Sequence, residues 1–510
     1  MAMTNDKRHQ FKDEFYGDFA VTIGWQQNFN AYPLSSYFLN KNGLMRVGAN
    51  AADGRTAMVD VRASDLGLSS TFTGIAWLCP KYQDLIADFD LFTAWDNVTE
   101  GLWSELRIPF AHTRWNAGLG TSVDYTGGTA YTTPAAVGII SANQTVNVVC
   151  TEGDLENVVY QGNCALSSAL LGNLCFGDAP ILTAGKLINC TRTTNGLSGI
   201  RLSIGYDFLR RERGFLGIAL DVECPVANKP HRKNCCNLFM FDPKVGSQNR
   251  WLIGGAFFGR YQIWQKDENE RVNINFDARA YSGFGGKTTR MLGILTHGNT
   301  LFNHYLLLKK FEISEGSTTA TYVGLERAAN LLRYQVKSKA MGEGQFTVML
   351  DYKKNNFAAG IGYNFYGRVK ETLCLCNNCG CNTGYYYVIK GNAPVANAAL
   401  TYHGGFYSPN DSSISQTGTL VTGSQAAWNA LEATTVTENA INFTPGNGNL
   451  SLCVAEQPQY TSNTIFAHIG YNWEDADWKP YVSLIGKLDF GTNNTALSLW
   501  GLYLKGGFCF

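Results

Sequence analysis

The sequence predicts an all-β chain that closes into a transmembrane, up-and-down antiparallel barrel of about twelve strands, with fourteen as the alternative count. Three observations predict it. Apolar and polar residues alternate with a period of two in segment after segment, and full charges fall on one face of many of them. Short turns alternate with mostly long loops, the asymmetry of a barrel whose two ends meet different compartments. Aromatic residues reach 13% and Gly numbers 54 against 13 Pro, with only 16% charged residues, which suits many strands and tight turns.

Formal net charge is zero, with 41 basic and 41 acidic residues, so no nucleic-acid footprint is present and no nucleic-acid partner is expected. Mean hydropathy is −0.13. No run of about 18 apolar residues could form a spanning helix. A barrel escapes that test because half of every strand is polar. The opening stretch MAMTNDKRHQFKDE lacks the apolar core of a secretory signal. Export would therefore mean that this sequence begins after cleavage or after an engineered Met. Residues 1–15 read as a periplasmic tail, and 16–510 as one barrel with long loops at 29–82, 114–198, 225–249, 282–334 and 369–463.

Taken in order, strands are predicted at 16–28, 83–95, 101–113, 199–209, 214–224, 250–264, 271–281, 335–352, 357–368, 464–473, 480–490 and 497–510. In the first, Phe19, Val21, Ile23 and Trp25 oppose Asp18, Ala20, Thr22 and Gly24. The second and third turn back at Asp96 to Glu100, and Pro109 requires a bulge or a poorly paired position because it has no N–H to give the ladder. The next hairpin sets Ile200, Leu202, Ile204, Tyr206 and Phe208 outward against Arg201, Ser203, Gly205 and Asp207, then Leu216, Ile218, Leu220 and Val222 against Asp221 and Glu223. After it, Arg260 and Gln262 face in, and Val272, Ile274, Phe276, Ala278 and Ala280 oppose Asn273, Asn275, Asp277 and Arg279.

The loop after that strand carries two runs, HYLLLKKFE and GLERAANLLRY, read as helical pieces. From Val336 to Tyr352 the parity never breaks, so this is one long strand, and KKNN at 353–356 becomes a turn. Lys337, Lys339 and Asp351 then share the inward face. The longest loop contains a helix expected at SQAAWNALE, capped by Ser424. Beyond it, His468, Lys487 and Asp489 face inward.

The last strand, LSLWGLYLKGGFCF, places Trp500, Leu502, Leu504, Gly506, Phe508 and Phe510 on one face. Aromatic residues at both ends with aliphatics between them match a strand crossing hydrocarbon between two girdles. It resembles the terminal strand of bacterial outer-membrane barrels. The resemblance implies that Phe510, Phe508 and Trp500 form the signal read by the barrel-insertion machinery. An open sheet in lipid would leave edge N–H and C=O groups unsatisfied at several kcal/mol each, so first and last strands must pair.

Fourteen cysteines lie mostly outside the periodic segments: Cys150, Cys164, Cys175 and Cys190 in one stretch, Cys224, Cys235 and Cys236 in another, and Cys374, Cys376, Cys379 and Cys381 in a third that Cys453 closes. Clustering in loops argues for disulfide staples. The spacing C-x-C-x2-C-x-C is the rival, a wrap for a soft metal ion, but it lacks the separated knuckles of a zinc ribbon. No metal and no cofactor are assigned. FGGKTT at 284–289 lacks the first Gly of a phosphate loop, and neither H-E-x-x-H nor G-x-S-x-G occurs, so no catalytic residue is assigned either. His468 reads as a solvated inward His rather than the partner of an acid.

IGYDF, LLLKKF, LERAANLL, GIGYNFYGR, HIGYNW and WGLYLKGGFCF together give the chain a porin-like character. With its cysteine-bearing loops it resembles the major outer-membrane proteins of obligate intracellular bacteria. That resemblance implies residence in the outer membrane among lipid and lipopolysaccharide, passive diffusion of small solutes, and a possible homo-oligomer. Inward charges expected to line the pore are Arg201, Asp207, Asp221, Arg260, Asp277, Arg279, Lys337, Lys339, Asp351, Arg368, Lys487 and Asp489. The alternative is a structural or adhesive surface protein whose disulfide-stapled loops plug the barrel.

Overall fold

A computed structural model describes residues 9, 14–39, 43–48, 60–66, 73–123, 145–149, 155–159, 162–172, 180–187, 190–226, 238–239, 243–247, 250–267, 269–294, 303–376, 384–389, 431–441, 443, 450–474, 476, 478–492 and 496–510. Twelve long strands form the ring: β1 (Phe15–Asn30), β2 (Lys81–Trp95), β3 (Leu102–Asn116), β4 (Ile200–Arg211), β5 (Gly214–Cys224), β6 (Arg250–Asp267), β7 (Glu270–Met291), β8 (Arg333–Lys354), β9 (Phe357–Arg368), β10 (Tyr460–Asn472), β11 (Tyr481–Gly491) and β12 (Ser498–Cys509). Each pairs antiparallel with the next, and β12 pairs back with β1, Leu504 standing opposite Ile23. The closed ring has no free edge, which is the condition for a sheet in hydrocarbon.

The count of twelve holds, and the fourteen-stranded reading has a visible origin. A short strand, Arg192–Leu197, continues the course of β4 along the far half of β3, and another, Thr372–Leu375, pairs with the upper part of β8. Between that first piece and β4 the ladder is interrupted at Ser198 and Gly199, and Pro109 of β3 lies opposite this break. Its carbonyl accepts a hydrogen bond from Ser198 N at 2.8 Å. The proline thus occupies a poorly paired position, as its missing N–H requires.

Parity sorts the two faces. Ile204, Leu220 and Leu504 are 52%, 58% and 53% exposed, with no second protein layer over them, whereas Asp221 is 0% and Asp277 6% exposed inside the ring. Outward aromatics gather at both ends of the apolar face. Trp25 meets Trp500 and Phe29 meets Phe490 toward the long loops; Phe15 meets Trp95 and Phe510, and Trp478 meets Phe508, toward the short turns. In the β8–β9 turn Asn355 takes a left-handed φ of 51°, a conformation Asn tolerates better than most residues.

At the other end the long connections pack on one another. Leu39, Met45, Val47, Leu66 and Leu78 from the first, Leu119, Leu166, Leu170 and Leu187 from the second, Leu307, Phe311 and Leu325 from the fourth and Val388 and Val436 from the fifth share one buried apolar cluster. Leu166, Ala169 and Leu170 reach it from one stripe of the helix Gly162–Leu171. This cap is fastened to the barrel by Glu371, fully inside, which meets Arg250 Nη2 of β6 at 2.5 Å and Arg290 Nη2 of β7 at 3.6 Å and accepts from Gln457 N at 3.1 Å.

Two expectations for the loops change. In HYLLLKKFE only His304 and Tyr305 are helical, in a single 3-10 turn at Asn303–Tyr305; the strand Leu307–Glu312 then runs between the strands Thr319–Arg327 and Tyr386–Ile389. In GLERAANLLRY only Ala328–Leu331 is helical. Both runs are buried on more than one side, which erases the alternation that would have marked them as strands. Among the described residues there is no disulfide, and Cys79, Cys190, Cys224, Cys374 and Cys453 are free thiols. Packing and the Glu371 ion pair hold the described parts of the loops. Cys150, Cys175, Cys235, Cys236, Cys379 and Cys381, the Cys164 side chain and most of the expected helix at SQAAWNALE lie outside the described residues.

Candidate functional site: the barrel lumen

The lumen is lined by the inward parity of the strands, and its contents change along the axis. Toward the short turns lies an aromatic cluster. Phe92 of β2, Trp103 of β3, Phe215 of β5 and Phe258 of β6 are each under 5% exposed, with Tyr16 of β1 beside them. His9 stands among these rings, and its Nδ1 lies 2.8 Å from Asp207 Oδ2 of β4. Asp207 also accepts from Trp103 Nε1 at 3.2 Å, and Arg210 bridges toward Asp207 and Asp96.

The middle is charged and internally paired. Arg279 Nε contacts Asp277 Oδ1 at 3.0 Å and its Nη1 contacts Asp221 Oδ2 at 3.3 Å, while Tyr281 donates its hydroxyl to the same Asp221 oxygen at 2.8 Å. Arg201 pairs with Glu223 at 2.8 Å, and Arg107 pairs with Asp88. On the opposite wall His468 Nε2 lies 3.0 Å from Asp351 Oδ1, Lys487 meets Asp489 at 2.8 Å, and Tyr481 donates to Asp18 at 3.0 Å. His468 therefore does meet an acid.

Glycine makes two of these contacts possible. Asp221, Gly254 and Tyr281 stand in register on β5, β6 and β7, and Asp351, Gly360 and His468 on β8, β9 and β10. In each trio the outer two side chains reach each other over the bare middle strand. Elsewhere an inward ring lies flat on its register partner: Tyr503 on Gly24, Trp103 on Gly205 and Phe466 on Gly362, where an added Cβ would come within 1.8, 2.1 and 2.2 Å of the ring. Rings that lie along the wall leave the axis open, which gives the high Gly and aromatic content a common cause.

Toward the loops the lumen opens into a cavity of about 540 Å³ lined by Tyr82, Trp115, Asn364, Tyr366, Tyr460, Thr464, Lys487 and Asp489. Arg368 stacks over the Tyr460 ring at 4.6 Å and donates to Pro458 O at 3.3 Å. Arg260 lies over Phe215 at 5.4 Å. Lys337 is exposed where β8 runs past the barrel to pair with Thr372–Leu375, and the Lys339 side chain lies outside the described residues.

The sequence reading missed His9, the aromatic cluster and the Arg107–Asp88 pair. For the cluster a signal existed: Phe92, Trp103, Phe215 and Phe258 put apolar side chains on the inward parity near the turns. Nothing in the polar N-terminal tail marked His9. Among the described residues no group of three His, Cys, Asp or Glu could hold a metal ion.

Comparison with solved structures finds bacterial outer-membrane barrels. An outer membrane channel from Pseudomonas putida F1 is 10% identical, with 97% of this chain and 96% of that one covered at a TM-score of 0.35. A FadL homologue from Pseudomonas aeruginosa is 8% identical, at 98% and 89% coverage and a TM-score of 0.26. The translocator domain of the autotransporter NalP from Neisseria meningitidis is 6% identical, at 99% and 90% coverage and 0.27. These likenesses are distant, and the fold assignment rests on ring closure, not on them. No family model matches the chain. No curated protein matches it, so the resemblance to the major outer-membrane proteins of obligate intracellular bacteria gains no support.

Proposed function

We propose that the protein is a channel of the bacterial outer membrane through which small hydrophilic solutes or ions diffuse passively. In this reading its short turns and termini are periplasmic, its capped end is extracellular, and it is not an enzyme. One observation carries it: a closed ring whose outward side chains are apolar between two aromatic bands while the middle of its inward face carries paired charges and hydrogen-bonded groups. Lipid and lipopolysaccharide outside, barrel-insertion machinery during assembly and small solutes inside are the partners that follow. Because acids and bases in the lumen occur as neighbouring pairs, the field along the axis is locally balanced, and weak ion preference is expected. The surface-coat alternative finds no support among the described residues, where there is no disulfide.

The test is reconstitution in planar bilayers. Discrete conductance steps with little cation or anion bias support the reading. A folded barrel that conducts neither as wild type nor with its lumen widened by substitution refutes it.

A further inference from the structure

His9 makes a set of contacts that a trailing tail has no reason to make. Its imidazole stacks on Phe215 with ring centroids 4.5 Å apart at 21°, presents edges to Phe92 and Trp103 at 5.1 and 5.5 Å, and lies 5.3 Å from Phe258. Its Nδ1 points at Asp207 Oδ2, 2.8 Å away. Those five partners come one each from β2, β3, β4, β5 and β6, consecutive strands of the ring. Only 7% of His9 remains exposed. Apolar rings on the water-filled side of a barrel are costly unless something covers them, and here a planar N–H donor covers them.

We propose that this ring cluster with Asp207 is a binding site for a small planar N–H donor of the imidazole or imidazolium class, and that in this structure its occupant is the chain's own His9, which thereby narrows the lumen at the short-turn end. Flat rings on several sides select a flat guest and favour a cationic one through their negative faces. The carboxylate, already held by Trp103 Nε1, supplies the single directional acceptor. The proposal rests on the channel reading, since narrowing means something only for a barrel that conducts.

The experiment is chemical complementation in planar bilayers with the full chain. His9→Gly removes the occupant and leaves the rings and Asp207 in place. Its conductance is expected to rise severalfold over wild type and to fall back when imidazole is added at millimolar concentration, the affinity expected of a ligand with so few atoms. Acetate at the same concentration should do nothing. Phe215→Ala, which leaves His9 intact but removes its stacking partner, should raise conductance too, and it replaces His9→Gly should that variant fail to reach the closed form on heat-modifiable gels. If wild type and both variants conduct equally, or if the raised conductance of His9→Gly ignores imidazole, the proposal is overturned while the channel reading stands. If no variant conducts at all, the channel reading falls first.

Discussion

Replacing Gly254 by Ala should destabilise the barrel by about 2.5–6 kcal/mol. Its Cα faces the lumen, and an added Cβ would sit 2.3 Å from Ala280 O and 2.3 Å from Tyr281 Cδ1. A ring can swing aside, but the backbone carbonyl of the neighbouring strand cannot, so overpacking of about 1–3 kcal/mol is unavoidable. Displacing Tyr281 also breaks its 2.8 Å hydrogen bond to Asp221. A bond to a charged acceptor contributes about 1.5–3 kcal/mol. The assay is the urea midpoint of barrel unfolding in lipid vesicles, read by heat-modifiable migration. Tyr281→Phe should lose only the second part, and Gly254→Ala combined with Tyr281→Ala should cost less than the sum of its parts, because the ring that clashes is gone. Gly506→Ala is the control: it faces outward, where an added Cβ first meets Tyr481 O at an ordinary 3.7 Å. If Gly254→Ala changes stability by less than about 0.5 kcal/mol, or if Gly506→Ala costs as much, the bare-strand argument is wrong.

Other perturbations act on the cap. Glu371→Ala strips the carboxylate from Arg250, which is 2% exposed. The cap should loosen by about 3–5 kcal/mol, seen as faster proteolysis of the loops with heat-modifiability kept. Burial holds the His304 imidazole down at about 4, against an ordinary value of about 6.5. Since the unfolded cap takes up a proton that the folded cap refuses, stability is complete above that ordinary value and falls by about 3 kcal/mol as pH drops toward 4. Tryptophan-monitored urea unfolding at neutral and acid pH should show this slope, and His304→Gln should flatten it. Cys79, Cys190 and Cys453, exposed free thiols, should react with a maleimide without prior reduction; protection that reductant abolishes would contradict the structure.

The ring was legible because period two survives wherever one face meets lipid. Ile204 and Asp207 could be assigned to opposite faces without any knowledge of their neighbours. Pairings were not legible, since they depend on register between strands far apart in sequence, as with Asp221 and Arg279. The sequence points to a solvated His468 because nothing local shows that Gly360 leaves a gap through which Asp351 can reach it. The cap is the least legible part. Leu306, Leu307 and Leu308 are all buried, so an apolar run there carries no periodicity and looks as much like helix as strand. Glycine content was noticed, but its coupling to aromatic partners appears only once the ladders are aligned.

Because four separate connections contribute to one apolar cluster, none of them owns the surface it presents. Whatever meets that end of the molecule would meet a mosaic assembled from segments hundreds of positions apart. Peptides copied from a single segment would be poor mimics of it. Variation in one segment would also be constrained by the other three, so that patches of this exterior could change their exposed residues freely while their undersides stayed interdependent.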